Sequence, residues 1–188
     1  GALAATPASA EITVGVSLGT TGPGSSLGIP YKNAFQLLPK TLGGEPVKYI
    51  ILDDESKPDN AAKNARKFVA EDKVDAMMGS NGVPSAVAMA QVAAETKTPL
   101  IALTPTPPLP PDPAQWTFTI PQSTELMMSA VAEDMKKRGI KTVGYIGFSD
   151  TWGDLMYNAI TALAPKYGFK VVTNERYEVF TSGDRPQV

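Results

Sequence analysis

Short apolar runs alternate with longer segments of helical periodicity along most of the chain, from Glu11 to Thr173. Runs rich in Val and Ile predict strands at 11–18, 47–52, 74–78, 99–103, 116–120, 142–148 and 169–173. Helical patterns occupy most of the intervals between them. Because parallel strands are joined by right-handed crossovers, this alternation predicts an α/β fold with parallel sheets flanked by helices.

Polar and glycine residues cluster after two neighbouring strands of this pattern. The sequence GSNG at 79–82 follows one strand, and a hydroxyl-rich loop follows the next. Ligands bind at the carboxyl ends of strands in open α/β sheets, and a helix N-terminus there attracts a carboxylate or phosphate. The alternative is that these are ordinary polar loops. The candidate ligand-binding residues are Ser80, Asn81, Gly82, Ser85, Thr104 and Thr106.

Composition narrows the functional classes. The 188 residues include no histidine and no cysteine, which excludes a Ser-His-Asp triad, a thiol nucleophile and any His or Cys metal site. A net charge of -2 argues against a nucleic-acid partner, which needs a basic surface. No apolar run has the length of a membrane span. An enzyme built from these residues would need carboxylates, Lys, Tyr or a cofactor. We expect a protein that is not an enzyme, has no cofactor and does not span a membrane.

Two further loops leave alternatives open. The glycine-rich segment 19–28 lacks the lysine of a phosphate loop, so it is better interpreted as a flexible wall presenting Ser26 and Leu27. The pair Asp53–Asp54 could bind a metal or accept a phosphoryl group, but a structural role in a turn is favoured. Ser56 and Asp59 have the spacing of a capping box for the next helix.

The remaining segments give local predictions. Residues 1–10 are interpreted as a signal-peptide remnant, with Ala8-Ser9-Ala10 as its cleavage pattern, or as a flexible arm. A hinge is expected at Pro121–Gln122, and Ser123 or Thr124 is expected to cap a helix. Trp152, where a loop meets a helix, could staple that helix or stack on a ligand.

The ordered motifs ITVGVSLGTTGPGSSLGIP, ILDDESKPDNAAKNARKFV, VDAMMGSNGVPSA, PLIALTPT, TIPQ and FSDTWGDLM resemble those of type I periplasmic binding proteins. These are the substrate-binding components of ABC transporters for branched-chain amino acids and related carboxylates. The resemblance implies two hinged lobes that close over a small ligand. Lobe 1 would span residues 11–120, and residues 121–188 would begin a lobe 2 that is incomplete in this chain.

The same resemblance implies roles for individual residues. Ser80, Thr104 and Thr106 match segments that hold a carboxylate, Leu27 matches a wall of the apolar part, and Trp152 matches an aromatic cover. The implied ligand is a branched-chain or other amino acid or an aromatic acid, and the implied partner is an ABC permease in a periplasmic setting. The alternatives are a doubly wound nucleotide- or phosphate-binding enzyme and a receiver-like signalling domain.

Overall fold

The structure is a computed structural model that describes residues 11–178, so the interpretation of residues 1–10 lies outside the described part. The strands are β1 (Ile12–Leu18), β2 (Thr41–Leu42), β3 (Glu45–Asp53), β4 (Ala76–Gly79), β5 (Leu100–Ala102), β6 (Thr117–Thr119), β7 (Thr142–Phe148) and β8 (Lys170–Tyr177). The helices are α1 (Ser25–Phe35), α2 (Pro58–Ala70), α3 (Val83–Thr96), α4 (Pro111–Trp116), α5 (Thr124–Lys137) and α6 (Thr151–Tyr167).

Six strands form one sheet in the order β2-β3-β1-β4-β5-β6. All of its pairings are parallel except the β2–β3 hairpin. The helices α2 and α3 cover one face, where Phe68, Met77, Met89 and Leu100 are fully buried. A second apolar cluster, including Val16, Leu18, Phe35 and Leu103, forms beneath α1. The predicted mostly parallel α/β fold is confirmed.

The remaining two strands, β7 and β8, pair in parallel in a separate sheet. Helices α5 and α6 pack on this sheet around Ala132, Met135, Ile160 and Phe169. Helix α3 of the first sheet comes within 8 Å of α6, measured between Cα atoms. The expected boundary between the two lobes at residues 120–121 and the hinge at that point stay predictions.

Several local predictions differ from the structure. Helix α1 begins at Ser25, inside the segment predicted as a loop, because the turn 22–24 supplies the first carbonyl acceptors of the helix. The Ser56 capping box is wrong: Lys57 is the N-cap of α2 and no side chain caps it. The Ser123 cap is confirmed, since its hydroxyl accepts a hydrogen bond from the Leu126 N–H. Trp116 ends α4 and does not begin a strand.

None of the helices within residues 11–178 is long and apolar enough to cross a membrane.

Candidate functional site

Four parallel strands of the large sheet end side by side, and their loops form one polar edge. The register pairs Ser17 with Leu52 on one side and with Gly79 on the other. The loops that leave this edge are the Gly19 loop (residues 19–24), the turn at 53–56, the Gly79 loop (residues 79–82) and the segment after β5. The predicted ligand-binding residues before Pro121 all lie on or next to these loops.

Ser80 is held from below by a buried carboxylate. Its hydroxyl donates to Asp54 Oδ2 at 2.8 Å, and the Ser17 hydroxyl donates to the same oxygen at 2.9 Å. The other carboxylate oxygen accepts the Ser56 N–H at 3.0 Å. Asp54 is fully buried, and this desolvation raises the pKa of its carboxyl despite the three donors.

Asn81 connects the Gly79 loop to the Gly19 loop. Its Oδ1 accepts the Gly19 N–H at 2.8 Å, and its Nδ2 donates to the Gly24 carbonyl at 3.1 Å. Because Asn81 is only 7% exposed, water competes little for these bonds. The Gly79 loop and the start of α1 therefore form one connected unit.

The Gly19 loop is also fixed to the turn at 53–56. Asp53 accepts hydrogen bonds from the backbone of Thr20 and Thr21 and from the Thr21 hydroxyl. Burial alone would raise the pKa of Asp53, but these bonds and one from the Glu55 N–H outweigh it and lower the pKa. Ser56 donates its hydroxyl to the Thr21 carbonyl and accepts the Gly24 N–H. The wall predicted to be flexible is thus tied down by side chains.

The first turn of α3 and the segment after β5 present polar groups that have no partner within the described residues. Ser85 is 2% exposed and Thr104 is 7% exposed, and neither hydroxyl makes a hydrogen bond with the described residues. The N–H groups of Val83 and Ser85 likewise have no backbone acceptor within residues 11–178, whereas the Ala86 N–H already bonds to the Gly82 carbonyl. Unpaired donors at a helix N-terminus suit an anion.

The other predicted residues before Pro121 lie in α1 and in the segment after β5. Ser26 and Leu27 are in the first turn of α1, next to the carbonyl that Asn81 holds, and Leu27 is 57% exposed. Thr106 lies farther along the chain, with its hydroxyl 3.1 Å from that of Thr119. The Tyr31 hydroxyl donates to the Leu103 carbonyl and so connects α1 to the segment that carries Thr104.

Trp152 lies in the Ser149 loop (residues 149–153), which leads from β7 into α6. Asp150 caps the helix by accepting the Gly153 N–H at 3.0 Å. The indole of Trp152 is half-buried and does not belong to the apolar cluster beneath α5 and α6. In contrast, Trp116 packs against the core under α3. The role of Trp152 as a ligand contact stays a prediction.

Arg176 at the end of β8 holds the Ser149 loop in place. Its guanidinium donates to the Phe148 carbonyl at 2.9 Å and pairs with Asp154 at 3.0 Å. The same group stacks on the rings of Tyr145 and Tyr157, with centroids 5.3 and 5.4 Å away. Burial raises the pKa of Tyr145, whose hydroxyl donates to the Gly153 carbonyl at 2.8 Å.

The hydrogen bonds of the polar edge disfavour the two alternative functions. The N–H groups of Gly19, Thr20, Thr21 and Gly24 are already used within the protein and are not available to cradle a phosphate. Asp54 is too deeply buried to accept a phosphoryl group. Within residues 11–178 no three acidic side chains lie together as a metal site would need.

Two surface cavities lie away from this edge. One, of about 310 Å³, lies between α1 and β3 and is lined by Phe35, Val47 and Tyr49 among others. The other, of about 510 Å³, lies at the opposite end of the small sheet and is lined by Lys141, Phe169 and Lys170 among others. Neither cavity is lined by a predicted ligand-binding residue.

The sequence interpretation gave Asp54 a structural role in its own turn but not the connection to the Gly79 loop, and it did not single out Arg176. The available signal for Asp54 was its position directly after a strand, together with serines at the ends of the strands that become its neighbours. That signal requires knowing that β1 lies between β3 and β4. Arg176 gave no local signal, since these partners are 19 to 31 residues earlier in the chain.

Comparisons with known proteins identify the family. The family model described as periplasmic binding protein matches residues 11–188. The chain belongs to the periplasmic binding protein family. A search of curated proteins found no match. The predicted relationship to type I periplasmic binding proteins is confirmed by the family match and by the solved structures that resemble the chain.

Solved structures resemble this periplasmic binding protein over about half of their own length. An extracellular ligand-binding receptor from Rhodopseudomonas palustris HaA2 is 46% identical, with a TM-score of 0.88, over 90% of this chain and 47% of that one. A solute-binding protein of an ABC transporter from Rhodopseudomonas palustris BisB5, in complex with 3,4-dihydroxybenzoic acid, is 22% identical, with a TM-score of 0.79 and coverage of 89% and 47%. A leucine-binding protein from Thermotoga maritima MSB8 is 24% identical, with a TM-score of 0.75 and coverage of 93% and 50%.

Proposed function

We propose that this periplasmic binding protein is the solute-binding component of an ABC importer and holds a small carboxylate between two lobes. The observation that carries the proposal is the first turn of α3. The Ser85 hydroxyl and the N–H groups of Val83 and Ser85 lack partners there within the described part of the chain, and so does the hydroxyl of Thr104 in the segment after β5. These donors would neutralise a carboxylate in a closed cleft without any covalent step.

The side chains around the donors suit an apolar ligand body. Leu27 is 57% exposed on the same connected unit, and the half-buried indole of Trp152 lies at the start of α6, the helix that α3 approaches. An aromatic acid or a branched-chain amino acid has both the carboxylate and the apolar body. The ligands of the two distant structural relatives, 3,4-dihydroxybenzoic acid and leucine, are of these two kinds.

In this proposal binding closes the lobes. Contacts that form only when the Ser149 loop approaches the Gly79 loop would favour the closed form, and a ligand shifts the equilibrium by its difference in affinity for the two forms. The permease of the importer would then recognise the closed surface in the periplasm.

A thermal-shift experiment on the complete protein tests the proposal. Benzoate, 3,4-dihydroxybenzoate and leucine serve as probes, and benzamide is the matched control because it has the same ring without the charge. We expect at least one carboxylate to stabilise the protein, by about 2.7 kcal/mol at 100 times its Kd, with no consumption of the ligand. Stabilisation by none of the carboxylates, or turnover of one, would contradict the proposal.

A further inference from the structure

We propose that Asp54 is a positioning residue of the ligand site. Its carboxylate accepts the hydrogen bond that the Ser80 hydroxyl donates, and so fixes the Gly79 loop relative to the Gly19 loop. This inference rests on the proposed function. It also assigns the direct hydroxyl contacts with a carboxylate to Ser85 and Thr104, and makes Ser80 an indirect contributor.

The first argument for this inference is the hydrogen-bonding capacity of the Ser80 hydroxyl. A serine hydroxyl has a single hydrogen to donate. The Ser80 hydroxyl donates to Asp54 Oδ2 at 2.8 Å, and its residue is 1% exposed. A carboxylate ligand offers only acceptors, so it cannot use the hydroxyl of Ser80 while that bond exists. Ser85 and Thr104 have no such acceptor within the described residues.

The second argument is the position of Asp54 between the strand ends. Its carboxylate lies where the ends of β1, β3 and β4 meet, with bonds from Ser17, Ser56 and Ser80. Ser17 in turn accepts a hydrogen bond from Asn64 of α2 at 3.2 Å. Ser56 extends the network to the Gly19 loop through the Gly24 N–H at 2.9 Å. One buried carboxylate thus bonds directly to the Gly79 loop and is connected through Ser56 to the Gly19 loop.

A matched pair of serine variants separates positioning from general stabilisation. Ser17→Ala and Ser80→Ala each remove one buried hydroxyl from the same oxygen of Asp54, but only Ser80 belongs to a loop that faces the proposed ligand. We expect similar losses of thermal stability in the two variants. The affinity for the carboxylate probe that stabilises the wild type should fall about tenfold in Ser80→Ala and at most about twofold in Ser17→Ala.

A double-mutant cycle tests whether Ser80 acts through Asp54. If it does, Asp54→Asn should weaken binding by at least as much as Ser80→Ala, and the double variant should bind no more weakly than Asp54→Asn alone. Additive losses would show that Ser80 contacts the ligand directly and would overturn the inference. If Asp54→Asn does not fold, the two serine variants still decide, since equal effects on affinity would also overturn it.

The complete protein is titrated calorimetrically with benzoate, 3,4-dihydroxybenzoate and leucine. Failure of the wild type to bind any of them would overturn the proposed function together with this inference. Binding by the wild type with unchanged affinity in Ser80→Ala and Asp54→Asn would overturn the inference alone.

Discussion

The Gly79 loop and the Ser149 loop occupy equivalent places, since each follows a parallel strand and leads into a helix, but they are held by different forces. The first is fixed by Asp54, which is 0% exposed. The second is fixed by Arg176, whose side chain is 22% exposed and whose partner Asp154 is 66% exposed. Water and salt weaken the second set of contacts much more. The comparison predicts a preformed half-site at the Gly79 loop and a more adaptable one at the Ser149 loop.

The largest expected effect comes from Gly153, which lets the Ser149 loop pass close to its own backbone. A Cβ at this position would overlap the carbonyl of Phe148 and approach the guanidinium of Arg176. We expect Gly153→Ala to lower the free energy of unfolding by about 3 kcal/mol, measured by urea denaturation.

Gly168→Ala at the other end of α6 is the control for that variant. Gly168 has a φ of +76°, but a methyl group added there would meet no described atom within 4 Å, so only backbone strain is introduced. We expect the free energy of unfolding to fall by about 1 kcal/mol. Equal losses in the two variants would show that the close approach at Gly153 is unimportant.

The next effect concerns the two tryptophans. Trp152→Ala should weaken binding of an aromatic acid by about 2 kcal/mol, roughly thirtyfold, because the indole is lost from the ligand and not from the core. Trp116→Ala should show the reverse pattern, since Trp116 packs under α3: a large loss of stability with little change in affinity. Calorimetric titration and thermal denaturation of both variants check this. A stability loss in Trp152→Ala as large as that in Trp116→Ala would favour the staple.

A smaller effect is expected from Arg176→Met, which keeps an apolar stem but removes the ion pair and the stacking on Tyr145. The free energy of unfolding should fall by about 1 kcal/mol, and this loss should be smaller in high salt. Arg138→Met is the control, because Arg138 pairs with Asp134 at 3.4 Å with both side chains exposed, and it should have little effect. A salt-independent loss in Arg176→Met would mean that packing holds the Ser149 loop.

The smallest effects concern pH. The raised pKa of Asp54 means that the folded state keeps a proton that the unfolded chain loses near pH 3.8, so stability falls as the pH rises from there through the folded pKa. Asp53 behaves oppositely: its lowered pKa gives stability above pH 3.8 that is lost as the pH falls through its folded pKa. In urea denaturation between pH 3 and 7, the fall of stability with rising pH that Asp54 causes should be absent in Asp54→Asn and present in Asp53→Asn. A retained slope in Asp54→Asn would assign it to another group.

How far the sequence could predict this molecule depends on the range of the contacts involved. Strand β7 is predicted at its observed bounds because apolar periodicity is local. The start of α1 is missed because it depends on the Gly19 loop being held by Asp53 and Ser56, 32 to 33 residues away. Likewise, Asn81 is predicted as a ligand contact, but its bonds to Gly19 and Gly24 cross 62 and 57 positions. Patterns in a single sequence do not reveal such long-range pairs.

The most direct test of an anion site at α3 is a calorimetric titration of the complete protein and its Ser85→Ala variant with an aromatic carboxylate and its neutral amide. We predict that Ser85→Ala weakens binding of the carboxylate by about 1–3 kcal/mol and changes binding of the amide much less, because a charged oxygen loses its donor. Equal affinity of wild type and variant for the carboxylate would contradict the claim that the first turn of α3 grips an anion.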